Sequence, residues 1–203
     1  MKFRLAIIIF LINLTVFCSS APPIPQEKKY LIAVMPVSLE KEIKAEPGEL
    51  ATVRDAITLG ILQSGRARLM ERSQIDSLLK ERELEQSGVI APAAAKELGA
   101  LLGAEALLIT TITSVKTFKL DDSLAPHNSL AVTVTASCRI VNTATGEILA
   151  AVQSEKTGSQ NKDFMQGVIG TGSTDTIALR AAAISAVGTE LGWYMASEIP
   201  AKP

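Results

Sequence analysis

Three observations predict a single α/β domain with a mixed β-sheet of about five strands packed with helices in two or three layers. Apolar runs of strand length alternate with segments of helical spacing through the first half of the chain. A clean period-two stretch, a turn and a second strand-like run mark an antiparallel hairpin in the second half. A long helical pattern of mostly small residues closes the chain.

The first strand is Tyr30 to Val37, apolar on both alternating faces as suits the middle of a covered sheet. After Pro47-Gly48, the residues Leu50, Val53, Ile57 and Ile61 recur at helical spacing and Gly65 closes the segment, which predicts a helix packed on that sheet. Arg68-Leu69-Met70 reads as a short second strand. Ser73 with Asp76 three residues on is a capping-box signal for a helix whose Ile75, Leu78, Leu79 and Arg82 share a face. Pro92 suits a first helical turn, Ala95, Leu98 and Leu102 follow at helical spacing, and Gly103 can end that helix.

Ala106 to Val115 is rich in β-branched residues and gives the third strand. From Leu130 to Ile140 apolar and polar residues alternate, so one face of the fourth strand is buried and the other at least partly wet. The turn Asn142 to Gly146 leads into a fifth strand, Ile148 to Glu155. The residues up to Thr174 then become polar and glycine-rich. Ile177, Ala181, Ile184, Val187, Leu191 and Met195 mark the last helix, whose small side chains let it lie close against the sheet.

The 203 residues are 47% apolar, with 20 Lys plus Arg against 21 Asp plus Glu, the balance of an ordinary folded domain. A net charge of −1 gives no uniform basic surface for a phosphate backbone, so no nucleic-acid partner is expected. One histidine and two cysteines cannot build a four-ligand zinc cluster. No metal, cofactor or catalytic residue is expected.

Lys2 and Arg4 precede Leu5 to Phe17, an apolar run broken only by Asn13 and Thr15, and then come Cys18-Ser19-Ser20-Ala21 and two prolines. That is the layout of a secretory signal, and the run falls short of the roughly 20 residues a membrane span needs. Residues 1–20 are therefore expected as a signal peptide, 21–29 as a Pro-rich linker, 30–197 as the folded domain and 198–203 as a tail. Two kinds of processing stay open. Cleavage after Ser20 would release a soluble protein, whereas lipid on Cys18 as the first mature residue would tether it. Thr15 and Phe17 stand where the usual lipoprotein box has Leu and a small residue, while the cysteine's place between the apolar run and a Ser- and Pro-rich stretch favours lipid. Removing residues 1–20 takes away Lys2 and Arg4 only, leaving 18 basic against 21 acidic residues and a charge of −3.

Few residues invite a chemical reading, and each has a plainer alternative. Cys138 lies in a strand pattern and is expected as a buried thiol rather than a nucleophile. Gly167, Gly170 and Gly172 precede a helix start at Ser173, Thr174 and Asp175, where free amides can hold phosphate, but the spacing matches no nucleotide fingerprint and a loop capped by Thr174 or Asp175 is favoured. Adjacent Asp121 and Asp122 point apart in an extended segment and read as a solvated turn. His127 follows Pro126 in the same loop with no base or nucleophile in view. Lys80 to Glu85 reads as a solvated helix face. Trp193 and Tyr194 could anchor to a membrane or a partner, with packing in the last core turn preferred.

Residues 65–113 resemble the central signature of the CsgG family: Glu71-Arg72 after a short strand, Leu78-Leu79-Lys80-Glu81 on a helix, Ser87-Gly88, and Leu98 to Ala104 leading into a strand. Arg139 to Ala151, RIVNTATGEILAA, is similar to the same family's strand, Thr-Gly-Glu turn and strand. The likeness implies a CsgG-like, anticodon-binding-domain-like fold in a bacterial envelope protein, commonly lipidated, whose namesake forms a ring and exports curli subunits through a pore built from two inserted hairpins. Here Lys116 to Asn128 offers 13 residues and Lys156 to Ser173 offers 18, too few and too polar for pairs of barrel strands of about 9–11 residues each. In size the chain is closer to related lipoprotein activators of penicillin-binding proteins. The expectation is a non-enzymatic protein of the periplasm and outer membrane that acts by contact with envelope proteins in assembly or secretion of surface material, and that reaches outer-membrane lipid through Cys18. A self-associating secretion channel, and a small-ligand or nucleotide-binding domain using residues 167–175, stand as alternatives.

Overall fold

The computed structural model describes residues 24–81, 92–120, 129–159, 168–171 and 175–203. A 3-10 turn at Gln26–Lys28 leads into β1 (Leu31–Val34) and β2 (Ser38–Leu39), followed by α1 (Glu49–Ser64), β3 (Arg68–Leu69), α2 (Arg72–Glu81) and α3 (Pro92–Leu102). The second half carries β4 (Ala106–Leu120), β5 (Ser129–Asn142), β6 (Ile148–Ser159), β7 (Val168–Gly170) and α4 (Thr176–Glu198). These strands form one mixed sheet in the order β3-β1-β4-β5-β6-β7, with β2 alongside β4. Strands β3, β1 and β4 are mutually parallel, β4, β5 and β6 are antiparallel, and β7 runs parallel to β6.

The connections explain the layering. The chain moves outward from β1 through α1 to β3, then back past β1 through α2 and α3 to β4. Crossovers between parallel strands are right-handed, so the two must cover opposite faces. The buried residues agree. Val53, Ile57 and Ile61 of α1 pack with Ile32 and Val34 in the larger core, which α4 completes with Leu179, Ile184, Val187, Leu191 and Met195. On the other face Ile75 of α2 and Ala95 and Leu98 of α3 meet Ala33, Met35, Leu107 and Ile109. The domain has three layers over β1 and the start of β4.

Close approach of α4 depends on residues without side chains. A Cβ on Gly158 of β6 would sit 2.0 Å from the Leu179 carbonyl oxygen, and one on Gly60 of α1 would sit 2.8 Å from the Gly192 carbonyl carbon. Parallel packing of α1 and α4 is tied at its start by Arg180, whose guanidinium reaches the buried Glu49 carboxylate at 2.7 Å.

Several expectations hold and several are corrected. The α1 face, the Asn142–Gly146 turn and the hairpin of β5 with β6 are as expected, Gly65 and Gly103 end their helices at φ 62° and 68°, and the first strand is buried on both faces but covers only Leu31–Val34 of the expected Tyr30 to Val37. The sheet has seven strands rather than about five. The segment from Lys116 onward is not all connection, because β4 stays paired to Leu120 opposite Ser129. A bulge between Ile112 and Ser114 accounts for the difference, since the extra residue swaps which alternate positions face the core and leaves no single period to follow. Likewise β6 runs on to Ser159, and part of the glycine-rich stretch is β7. The buried face of α4 starts at Leu179, while Ile177 and Ala181 are exposed. No capping box forms at Ser73, since the helix already begins at Arg72 and Asp76 is held by arginines instead.

Both ends of the domain are docked more fully than the sequence suggests. Ile24 and Tyr30 are buried, and the backbone N–H of Lys202 donates to the Lys28 carbonyl at 2.9 Å. Arg66 donates to the Ile199 carbonyl at 2.8 Å. Residues expected as linker and tail thus clamp each other at the start of β1.

Candidate docking surface and the fate of the expected site residues

Two sequence segments far apart in the chain meet at the start of β4. Gly99 of α3 lies against Thr143 so tightly that a Cβ there would stand 2.2 Å from the Thr143 Cγ2. The Thr143 hydroxyl donates to the carbonyl oxygens of Ala104 and Glu105 at 2.8 and 3.0 Å. Gly103 then reverses the chain, and the Ala104 N–H returns to the Gly99 carbonyl at 3.0 Å. The segment Leu98 to Ala104 and the turn after β5 are therefore one packed junction.

A second cluster sits where β1 ends. Arg54 is 4% exposed; its Nε and Nη2 donate to the Val34 carbonyl at 3.0 and 2.7 Å, and its Nη1 meets Asp76 Oδ1 at 2.6 Å. Arg72 bridges Asp76 and Asp55 from outside, at 3.3 and 2.6 Å. Open α/β sheets hold ligands at the carboxyl ends of strands where the order reverses. Here the chain's own Arg54 fills that place.

Only some of the residues singled out for chemistry fall among the described residues. Cys138 is buried on the core face of β5, Thr110 donates to its sulfur at 3.2 Å, and burial pushes its thiol up to about 12. It is therefore expected to resist iodoacetamide in the folded protein at pH 8 and to react at once in denaturant; mass spectrometry of the two samples checks this. Gly170 is in β7, and Asp175 caps α4 by accepting the Ile177 N–H at 3.0 Å, as favoured. Cys18, Asp121, Asp122, His127, Gly167, Gly172, Ser173, Thr174 and residues 82–85 lie outside the described residues. Among the described residues no group of three metal-binding side chains occurs, and no helix is long and apolar enough to cross a membrane.

Comparison with known families assigns this arrangement. The model of the curli production assembly/transport component CsgG matches residues 47–187, which include the Gly99–Thr143 junction and the Arg54, Asp55, Arg72 and Asp76 side chains of the second cluster. The chain belongs to the CsgG family. Curated protein sequences give no significant match to this CsgG-family chain. Among solved structures it is similar to lipoprotein GNA1162 of Neisseria meningitidis, with a TM-score of 0.52 and 17% identity over 80% of this chain and 97% of that one. Protein CT253 of Chlamydia trachomatis gives a TM-score of 0.52 and 16% identity over 84% and 97%. The C-terminal domain of LpoB from Salmonella enterica is more distant, with a TM-score of 0.42 and 13% identity over 63% and 82%. These likenesses concern the fold.

Several large apolar side chains of this CsgG-family domain are exposed. Trp193 is 70% exposed and Tyr194 41%, their rings edge to face at 5.5 Å. This corrects the expectation that they pack in the last core turn, a place taken by Leu191, Met195 and Ile199. No sequence signal separates the two outcomes except helical phase, which puts Trp193 away from Leu191 and Met195. Leu59 and Leu62 of α1 are also more than half exposed.

Two carboxylates tie distant segments of the fold together. Burial pulls the Glu105 carboxyl upward, but the hydrogen bond from Lys202 at 2.5 Å, the Leu31 N–H at 2.7 Å and the charges of Lys202 and Arg68 outweigh it and hold it below 4.5. Glu190 on α4 is likewise raised by burial and lowered further by Lys156, at 2.6 Å, and by the Ser154 hydroxyl. A carboxyl depressed by folding adds stability above its unfolded value and loses it as pH falls through the lower folded value. The apparent Tm is expected to hold above pH 4.5 and to fall below it, and Lys202→Met should flatten part of that fall in a pH series of thermal melts.

Proposed function

We propose that this chain is an exported, non-enzymatic envelope protein that works by contact with other macromolecules in the assembly or secretion of surface material, with Cys18 acylated and the domain held at the periplasmic side of the outer membrane. The observation that carries this reading is the family match over residues 47–187, and its motif residues support it: Gly99, Gly103 and Thr143 serve packing and chain reversal and Arg72 pairs with Asp55 and Asp76. The lipoprotein GNA1162 shares the fold, which supports an acyl anchor. Exposed Trp193, Tyr194, Leu59 and Leu62 support a docking role.

Mass spectrometry of the mature N-terminus tests it. A diacylated or triacylated Cys18 is the expected result; an unmodified start at Ala21 would overturn the anchored form. Pull-down of the tagged mature protein from envelope extract should recover a defined envelope protein.

One observation favours a second reading. Strands β4 and β5 remain paired out to Leu120 and Ser129, so the hairpin is longer than the sequence suggests and could contribute to a ring-forming channel. Lys116 and Lys119 on its exposed arm suit water better than lipid. Conductance in planar bilayers by the purified chain would establish that reading.

A further inference from the structure

The parallel strands β1, β3 and β4 begin at one end of the sheet, and α1, α3 and α4 finish there. Contacts fix this: the Arg68 N–H donates to the Tyr30 carbonyl, Arg66 at the end of α1 reaches Ile199 at the end of α4, and Asn142 lies opposite Ala106. Six of the eight exposed large apolar side chains among the described residues collect at this end, while Phe118 late in β4 and Ile177 at the start of α4 lie toward the other. Leu59 and Leu62 are in the last two turns of α1, Leu101 in the last turn of α3, Ile148 opens β6, and Trp193 and Tyr194 are in the last two turns of α4. Scattered exposed apolar residues are normal on any protein; their concentration at one end is the signal. At 1.5 Å per helical residue, Leu59 and Trp193 stand within about 8 Å of their helix ends, the depth of the headgroup and acyl boundary.

The N-terminal segment leaves from that same end. Ile24 is buried and Lys28 is held by Lys202, so the domain begins there. Cys18 stands six residues before Ile24, and six residues span at most about 20 Å even fully extended. Strands β4 and β5, of 15 and 14 residues, cover about 50 Å at 3.3 Å per residue. A tether this short cannot carry an anchor from the start of β1 around to the β4–β5 hairpin.

We propose that the end of the domain formed by the last turns of α1, α3 and α4 lies on the lipid surface, with Leu59, Leu62, Trp193 and Tyr194 in the headgroup boundary and the β4–β5 hairpin pointing away from it. The proposal rests on acylation of Cys18. Lys28, Lys29, Arg66, Arg68 and Lys202 share this end with Glu27, Glu105, Glu147 and Glu198, so the charges nearly balance, the attraction is chiefly apolar and added salt should change it little.

Trp193 is the chain's one tryptophan and reports its own surroundings. The full-length protein purified from membranes, with its mature N-terminus read by mass spectrometry, is reconstituted into phosphatidylethanolamine and phosphatidylglycerol vesicles with brominated acyl chains. Trp193 emission should shift to the blue and lose about half its intensity or more to the brominated lipid. Leu59→Asp with Leu62→Asp, at exposed positions that leave the core intact, should reverse most of that loss. Acylated Cys18 with Trp193 unquenched and open to acrylamide overturns the orientation and leaves the anchor standing. An unmodified start at Ala21 overturns the anchor and the orientation with it. Trp193 shielded from acrylamide yet unquenched by brominated lipid assigns this end to a protein partner and overturns the proposal.

Discussion

Gly158→Ala is expected to lower stability by about 3 kcal/mol, the upper part of the range for overpacking a well-packed core. On a domain of this size that is a drop in Tm of roughly 6–12 °C. The reason is a backbone contact rather than a side-chain one. Gly158 faces α4 from β6, where its partner across the strands is Val132 on the core side. The added Cβ would meet the Leu179 carbonyl oxygen at 2.0 Å and the carbonyl carbon at 2.9 Å. A side chain could rotate away, but a carbonyl in the first turns of a helix moves only with the helix. The first turn of α4 must lift, which loosens Leu179 and the Arg180 pair with Glu49. Thermal melts of the variant beside Gln153→Ala, an exposed change on the same strand, should show the loss in the first and a change within about 0.5 kcal/mol in the second. Equal Tm values for the two would mean that α4 does not depend on this contact.

The parts of this fold that were legible in the sequence are those where one period runs unbroken. In β1, α1 and β5 every core position follows its repeat, and the Asn142–Gly146 turn carries its own chemistry, with the Asn142 side chain accepting the Ala144 N–H at 2.8 Å. Legibility fails where a local event breaks the period or where tertiary contacts decide between equal readings. The bulge in β4 hides the extension to Leu120. The three residues of β7 have only parallel pairing to Thr157, Gly158 and Ser159 to define them, which no local pattern encodes. Trp193 lies on α4 beside a glycine that packs on α1, so its own hydrophobicity says nothing about which way it points. The family signature was readable as a string, yet its meaning, Gly99 pressed on Thr143 some forty residues later, is visible only in three dimensions. A charged residue on the apolar arc of α1 is itself a signal of a buried polar contact. Helical spacing places Arg54 with Leu50 and Ile61, and an arginine there requires a buried partner.

That arginine gives the largest single-residue effect expected outside the close contacts. Arg54→Ala should cost about 3 kcal/mol, the lower end of the range for breaking a buried ion pair, because Asp76 is 43% exposed and screened by solvent. Most of the loss comes from the Val34 carbonyl. It ends β1 in the middle of the sheet, accepts two guanidinium hydrogens, and would be left in a buried place without them. Arg54→Lys tests this separation of causes. It keeps the charge near Asp76 but cannot present two hydrogens in a fork to one oxygen. If the carbonyl dominates, lysine should recover less than half of the alanine loss, and Asp76→Asn should cost only about 1 kcal/mol. If the ion pair dominates, lysine should recover nearly all of it and Asp76→Asn should approach Arg54→Ala. Denaturant melts of the three single variants and the Arg54→Ala, Asp76→Asn double variant decide between these outcomes through the coupling energy. Arg72 bears on the same measurement, since it still holds Asp76 at 3.3 Å and Asp55 at 2.6 Å after Arg54 is gone. The expected coupling between Arg54 and Asp76 is therefore the smaller part of what Arg54 contributes, and the arginine acts chiefly as the cap that closes the carboxyl end of a central strand.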